Sequence, residues 1–289
     1  MLAFNSLSLN KEAFSLNNKT NQVEAVIFDW AGTMVDYGCF APLDVFIEVF
    51  KKRGIEVTAE EARVPMGLLK WQHIREMCYM ERIANLWKDQ FGDFPRDSDV
   101  DDLYADFESM LFSILAHYCD PVPGAVELVK RLKEKGIKIG STTGYTAEMM
   151  AIVALEARKR GYAPDLIVTA DDVPAGRPFP WMCYQNAMNL NVYPMKHIIK
   201  VGDTISDIHE GVNAGCWTVG VLKGSSELGL KELEVNTLAP EILAQELDRL
   251  AKKFKDAGAH YVVNSIGDVD KLIPEIDAHL IQGDYNPVS

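Results

Sequence analysis

Two apolar runs each end on an aspartate: Val23-Glu24-Ala25-Val26-Ile27-Phe28 on Asp29, and His197-Ile198-Ile199-Lys200-Val201-Gly202 on Asp203. Asp36 and Asp207 follow them within a few residues. Carboxylates gathered at one place repel each other unless a cation lies between them, and magnesium takes oxygen ligands in octahedral geometry. Thr143-Gly144 closes a third run and precedes a helix beginning near Ala147. A hydroxyl, an unobstructed backbone N–H and a helix N-terminus together suit phosphate oxygens. Arg177 sits in Pro174-Ala175-Gly176-Arg177-Pro178, a loop stiffened by two prolines, where a fixed guanidinium can grip a phosphoryl group bidentately. Asp171-Asp172 closes a fourth run. Each feature alone has a plainer reading, since a strand-end carboxylate can cap the next helix and a turn arginine is usually solvated. Converging, they fit metal-assisted chemistry at phosphorus. Lys70 is of another kind. Leu68, Leu69 and Trp71 flank it, and an apolar setting lowers a lysine pKa and frees the amine for attack on a carbonyl. A solvated lysine at a helix start is the plainer alternative. His73, three residues on, shares a helical face with Lys70 and is either a proton carrier or a packed histidine.

These residues need elements that bring them to one edge. Apolar runs at 23–29, 137–143, 166–169, 197–203 and 217–221 alternate with helical periodicity at 124–135, 147–160, 180–190 and 205–214. That alternation predicts a parallel α/β sheet with helices on both faces, in which ligands sit beyond the carboxyl ends of the strands. The stretch from Phe40 to Asp120 breaks the rhythm, with helical patterns over Asp44–Arg53, Trp71–Trp87 and Ser98–Tyr118, the last with Ser98 as N-cap. The expected architecture is therefore a Rossmann-like parallel sheet core with an α-helical cap domain inserted after the first strand. Residues 21–38 and 119–289 form the core and 39–118 the cap, with 1–20 a mobile N-terminal extension. Toward the C-terminus a helix over Glu241–Ala257, a short strand over His260–Val263 and a final helix are expected.

Composition narrows the function. With 29 Lys+Arg against 42 Asp+Glu in 289 residues, the formal net charge is −13, which disfavours nucleic acid and anionic membranes as partners. An anionic small molecule is still admissible, because a metal and a few cations invert the field within one pocket. Five scattered cysteines without paired spacing suit free thiols in a reducing cytoplasm. The first twenty residues lack the cationic start and apolar core of a secretory signal, and no run approaches the length of a membrane span.

Strand–Asp, strand–Thr, a basic residue in the third segment and Gly202-Asp203-x-x-x-Asp207 in the fourth resemble the four motifs of the haloacid dehalogenase superfamily. Longer stretches resemble one of its families, the phosphonoacetaldehyde hydrolases or phosphonatases: 28–33, 35–42, Pro65-Met66-Gly67-Leu68-Leu69-Lys70, 140–146 and 171–178. The likeness runs from about Val23 onward, cap included. It implies hydrolysis of the carbon–phosphorus bond of phosphonoacetaldehyde, within 2-aminoethylphosphonate degradation, to acetaldehyde and phosphate. Asp29 would be the nucleophile and Lys70 the Schiff-base residue. Mg2+ would be held by Asp29, the Ala31 carbonyl and Asp203, and the phosphonate by Thr143, Gly144 and Arg177. Asp207 would orient a metal water or a basic partner, while His73, Met66 and Tyr145 support the pocket. A homodimer formed through the caps is also implied.

Ala31 and Lys70 belong together chemically. Most superfamily phosphatases carry a second aspartate two residues after the nucleophile, which protonates the leaving alkoxide; alanine cannot, and such assistance is typically worth about 10²–10⁴-fold. A phosphonate has no leaving oxygen. Its carbon departs readily only if the electrons have a sink, and an iminium ion formed by a lysine on the neighbouring aldehyde provides one. A phosphatase or phosphomutase acting on a sugar phosphate, and a binding protein of the same fold without turnover, are the two other classes the sequence leaves open.

Overall fold

The computed structural model describes residues 21–283, so the extension expected over 1–20 lies outside the described residues. Six strands, β1 (Ala25–Phe28), β2 (Lys138–Thr143), β3 (Val168–Thr169), β4 (Ile198–Gly202), β5 (Trp217–Val221) and β6 (Tyr261–Val263), form one sheet in the order β3-β2-β1-β4-β5-β6. Every described pairing is parallel. This is the doubly wound order, whose switch point lies between the first and fourth strands. There the Asp29 N–H donates to the Val201 carbonyl (2.9 Å), so the carboxyl ends of β1 and β4, and with them Asp29 and Asp203, stand side by side. A parallel strand buried on both faces is apolar along its length, and β1 is buried at all four positions. Val26 and Phe28 pack on one side; Ala25 and Ile27 pack with Cys183, Ala187 and Ala214 on the other.

The segment from Phe40 to Tyr118, between β1 and β2, is helical: α1 (Phe40–Lys51), α2 (Ala59–Arg63), α3 (Lys70–Tyr79), α4 (Glu81–Phe91), α5 (Asp97–Ile114) and a 3-10 turn to Tyr118. Their interior is aromatic, with Phe46 stacked between His73 (3.8 Å) and Phe107 (4.3 Å). The pattern read as one helix over Trp71–Trp87 is two. Met80 is extended (ψ 130°), ending α3 and starting α4, and Glu81 follows in the first turn, where its charge suits the helix dipole. Ser98 is not the N-cap of α5 either. Arg96 holds that place because the Asp99 carboxylate takes its backbone N–H (2.8 Å).

The remaining helices, α6 (Ala125–Glu134), α7 (Ala147–Lys159), α8 (Trp181–Leu190), α9 (Ile205–Ala214), α10 (Glu232–Thr237), α11 (Pro240–Asp256) and α12 (Ile273–Gln282), complete the layers. The C-terminal helix expected over Glu241–Ala257 is α11, and the short α10 before it carries too few apolar positions to be read from periodicity.

Gly202 fixes how closely α9 meets the sheet. A Cβ there would lie 2.2 Å from Cγ of Asp207, a separation no neighbour can absorb while that carboxylate keeps its partners. Gly202→Ala should therefore lower stability by about 3 kcal/mol, the upper range for overpacking, and the urea midpoint should report it. An unchanged midpoint would show that Asp207 can move.

Candidate active site

The strand ends deliver a buried carboxylate cluster. Asp29, Asp203 and Asp207 each place an oxygen within 4.8 Å of the others, and all three are buried. Their partners differ. Asp207 Oδ1 accepts from Lys200 Nζ (2.6 Å) and lies 3.1 Å from an Arg177 nitrogen, while Oδ2 accepts from Thr204 Oγ1 (2.6 Å). Burial alone would push Asp207 upward, but the two cations outweigh it and hold its pKa below the usual carboxylate value. Among the described residues Asp203 has only neutral donors, namely Thr33 Oγ1 (2.7 Å) and the N–H and hydroxyl of Ser226 (both 2.8 Å). Burial, then the negative charges of Asp29 and Asp207, push Asp203 well above the normal range. Burial likewise raises Asp29, which Arg177 offsets only in part. The uncompensated negative charge thus sits on Asp29 and Asp203, an oxygen-donor pair that fits a hard divalent cation such as magnesium. Asp207 is committed to basic partners instead.

Arg177 is almost fully enclosed. Its Nη2 donates to Asp29 Oδ1 (2.6 Å) and Thr142 Oγ1 (2.8 Å), and its Nε to Glu210 Oε2 (2.9 Å). It lines a pocket together with Asp29, Ala31, Thr143, Gly144, Lys70, Met66, Tyr145, Cys39, Gly67 and Thr204. The structure therefore gathers nearly every residue expected from sequence. Asp203 and Asp207 lie beneath that pocket and His73 behind it.

The helical layer contributes Lys70, the first residue of α3, which is 7% exposed. Its Nζ lies 5.0 Å from the Tyr145 ring centroid and 5.8 Å from that of Phe46, and no ion pair engages it among the described residues. Burial lowers its pKa, and the positive end of the α3 dipole acts in the same direction. His73 is fully buried, and burial followed by the charge of Lys70 depresses its pKa well below the ordinary value. Nε2 lies 2.8 Å from the Ala62 carbonyl, which can only accept, so the proton is on Nε2 and Nδ1 is bare. Cap and core close tightly here. Gly67 has φ +90° and sits where a Cβ would meet Thr204 Oγ1 at 2.5 Å, and a Cβ on Gly144 would lie 3.0 Å from the Leu68 carbonyl.

Several polar residues near the strand ends take the plainer role of caps. Asp36 turns away with φ 53° and caps α1 through the Phe40 and Ala41 N–H groups (3.0 and 2.9 Å). Burial nevertheless raises its pKa to about 7. Asp171 and Asp172 are caps too, on Ala147 N–H (2.7 Å) and Thr169 N–H (2.8 Å). Because Asp171 and the Thr146 hydroxyl already occupy the start of α7, that helix N-terminus is not open to phosphate. What faces the pocket is the Thr143-Gly144 turn itself.

A family model described as haloacid dehalogenase-like hydrolase matches residues 23–215. The chain belongs to the haloacid dehalogenase-like hydrolases. Phosphonoacetaldehyde hydrolase from Bacillus cytotoxicus is 59% identical over 256 residues, covering 89% of this chain and 97% of that protein. A bifunctional phosphonoacetaldehyde hydrolase/aminoethylphosphonate transaminase from Clostridioides difficile is 56% identical over 266 residues, 92% of this chain but only 42% of the relative. A phosphonoacetaldehyde hydrolase-like protein from Oleispira antarctica superposes with a TM-score of 0.90 at 40% identity, covering 92% of this chain and 97% of the other. β-Phosphoglucomutase from Clostridium difficile, at 18% identity and a TM-score of 0.61, shares the fold alone. This haloacid dehalogenase-like hydrolase carries site residues that motif reading passed over. Lys200 and Glu210 are fully buried and ion-paired 3.3 Å apart, and Thr142 joins them. A lysine in the middle of an apolar strand was the available signal, since a buried ammonium requires a partner.

Proposed function

We propose that this chain hydrolyses the carbon–phosphorus bond of phosphonoacetaldehyde to acetaldehyde and phosphate. The observation that carries the reading is a desolvated amine, Lys70, sharing one pocket with Asp29 and Ala31. The Lys70 amine condenses with the aldehyde, losing water and leaving an iminium ion. An Asp29 oxygen then attacks phosphorus, the carbon–phosphorus pair moves into the iminium as an enamine, and an aspartyl phosphate remains. Protonation and hydrolysis release acetaldehyde from Lys70, and a second water frees phosphate from Asp29. Thr143, Gly144 and Arg177 grip the phosphonate oxygens. Asp207 fixes Arg177 and Lys200, and Met66 and Tyr145 wall off the imine from water. His73, neutral and stacked on Phe46, anchors the first turns of α3 beneath Lys70. Asp29, the Ala31 carbonyl and Asp203 would hold magnesium, which would supply charge neutralisation at the phosphonate.

The helical segment 39–118 serves as the cap domain over a core that, among the described residues, spans 21–38 and 119–283. A homodimer through the caps is supported by exposed Val64 and Tyr79, which border one apolar cap groove with Met80. Fusion of such a hydrolase to an aminoethylphosphonate transaminase in the Clostridioides difficile relative supports a place in 2-aminoethylphosphonate degradation. Five free, buried thiols suit the cytoplasm, and no helix is long and apolar enough to cross a membrane among the described residues.

Phosphonoacetaldehyde supplied with magnesium should yield acetaldehyde and phosphate in equal amounts, and excess chelator should stop both until magnesium is restored. Phosphate release without acetaldehyde, or full turnover in chelator, would defeat the reading.

A further inference from the structure

Beneath the pocket, two cations and two anions form a closed square. Arg177 touches Asp207 (3.1 Å) and Glu210 (2.9 Å), and Lys200 touches the same two carboxylates (2.6 and 3.3 Å). All four side chains are at most 2% exposed. Asp207 and Glu210 are three residues apart on one face of α9, so a single rigid helix sets both anionic corners. Glu210 also takes the Thr142 hydroxyl (3.0 Å), and that same hydroxyl accepts from Arg177 Nη2 (2.8 Å).

The geometry points to Glu210 as the positioning residue for Arg177. A guanidinium is planar and sits at the end of a flexible stem, so its grip on phosphorus depends on what orients that plane. Nε carries one N–H, in the plane, and Glu210 Oε2 receives it at 2.9 Å. With Nε fixed by Glu210, Nη2 is aimed at the Asp29 carboxylate (Oδ1, 2.6 Å), the proposed nucleophile. An incoming phosphoryl oxygen can take over Nη2 while Nε keeps its partner, so the guanidinium changes ligand without changing place. Lys200 and Asp207 complete the square and keep the Glu210 charge compensated. All of these contacts fall on Glu210 Oε2, and Oε1 has no hydrogen-bond partner among the described residues, so the orienting bond to Arg177 runs through a single oxygen.

This assignment rests on the phosphonate-cleavage reading for its role in turnover, but its test does not. Glu210→Gln is nearly isosteric and removes one negative charge from beneath an anion site. If Glu210 acted through charge alone, inorganic phosphate would bind the magnesium-loaded variant more tightly than wild type. Positioning predicts the opposite. The dissociation constant for phosphate, read by titration calorimetry, should rise about tenfold, the loss expected when one charge-assisted hydrogen bond is weakened, and KM for phosphonoacetaldehyde should rise with it. Borohydride trapping of acetaldehyde on Lys70 should proceed at the wild-type rate, because acetaldehyde carries no phosphorus for Arg177 to hold. Thr142→Val removes the bridging hydroxyl without altering charge and should weaken phosphate in the same direction by less; it decides the matter if Glu210→Gln does not fold. Unchanged or tighter phosphate binding, or trapping that falls in parallel with it, overturns the assignment. A wild-type enzyme that fails to cleave phosphonoacetaldehyde would remove the cleavage reading while leaving the phosphate result to stand.

Discussion

Lys70→Arg should abolish phosphonate cleavage while the protein still binds phosphate. Arginine keeps the positive charge at the head of α3, but a guanidinium stays protonated and cannot condense with an aldehyde. The loss should exceed the roughly 10²–10⁴-fold attributed to a missing proton donor, because without the iminium the departing carbon has no electron sink. Phosphate binding to the magnesium-loaded variant, read by titration calorimetry, should change little, since the proposed grip on phosphorus is that of Arg177 and Thr143 on the core, not of Lys70. Wild-type enzyme treated with borohydride and acetaldehyde should lose activity and carry a reduced adduct on a peptide containing Lys70. Because burial lowers the Lys70 pKa, trapping should reach its plateau at a pH below the ordinary lysine value of about 10.4. An active arginine variant, or an adduct on another lysine, would move the electron sink elsewhere.

The residues most legible in the sequence were those fixed by backbone position. Asp29 and Asp203 could be placed because each ends an apolar strand, and the doubly wound order brings those two ends together. Lys70 was legible only through its flanking residues and Ala31, since nothing in its periodicity separates it from a solvated helix start. The fourfold ion-pair square was not legible. Its members come from β4, α9 and the loop after β3, and their registry depends on how close α9 approaches the sheet at Gly202. Asp36 shows the same limit from the other side: it follows Asp29 closely in sequence, yet a left-handed backbone turn points it at α1. Cys39 passed as a stray thiol, although it lines the pocket 4.0 Å from the Met66 sulfur. Side-chain direction after a strand end is set by local dihedrals, which residue type alone does not reveal. The break at Met80 was hidden for a related reason: no glycine or proline marks it.

Asp29→Asn should remove turnover and, in metal-free enzyme, raise stability. Amide nitrogen and oxygen cannot replace the attacking carboxylate, and loss of a covalent nucleophile can cost on the order of 10⁶-fold in rate. Rapid quenching of wild-type enzyme with phosphorus-labelled substrate should leave label on Asp29, and the variant should retain none. The stability change has the opposite sign to the usual loss of a buried ion pair. Burial raises the folded pKa of Asp29 above its unfolded value of 3.8, so across that interval the folded state binds more protons than the unfolded one. Stability then falls as pH rises from the unfolded pKa through the folded one. Without metal, ionising this carboxylate in the folded state is therefore a net cost, even with Arg177 beside it. Asparagine removes that cost, and the gain in thermal midpoint should shrink toward pH 4 as the wild-type carboxyl takes up its proton. Added magnesium should reverse the order, since the cation stabilises wild type by binding a folded-state site that the variant lacks. A variant with near-normal turnover would instead assign the attack on phosphorus to water. A variant less stable than wild type at neutral pH without metal would mean that the Arg177–Asp29 pair outweighs burial, and that the cluster does not depend on a cation for its balance.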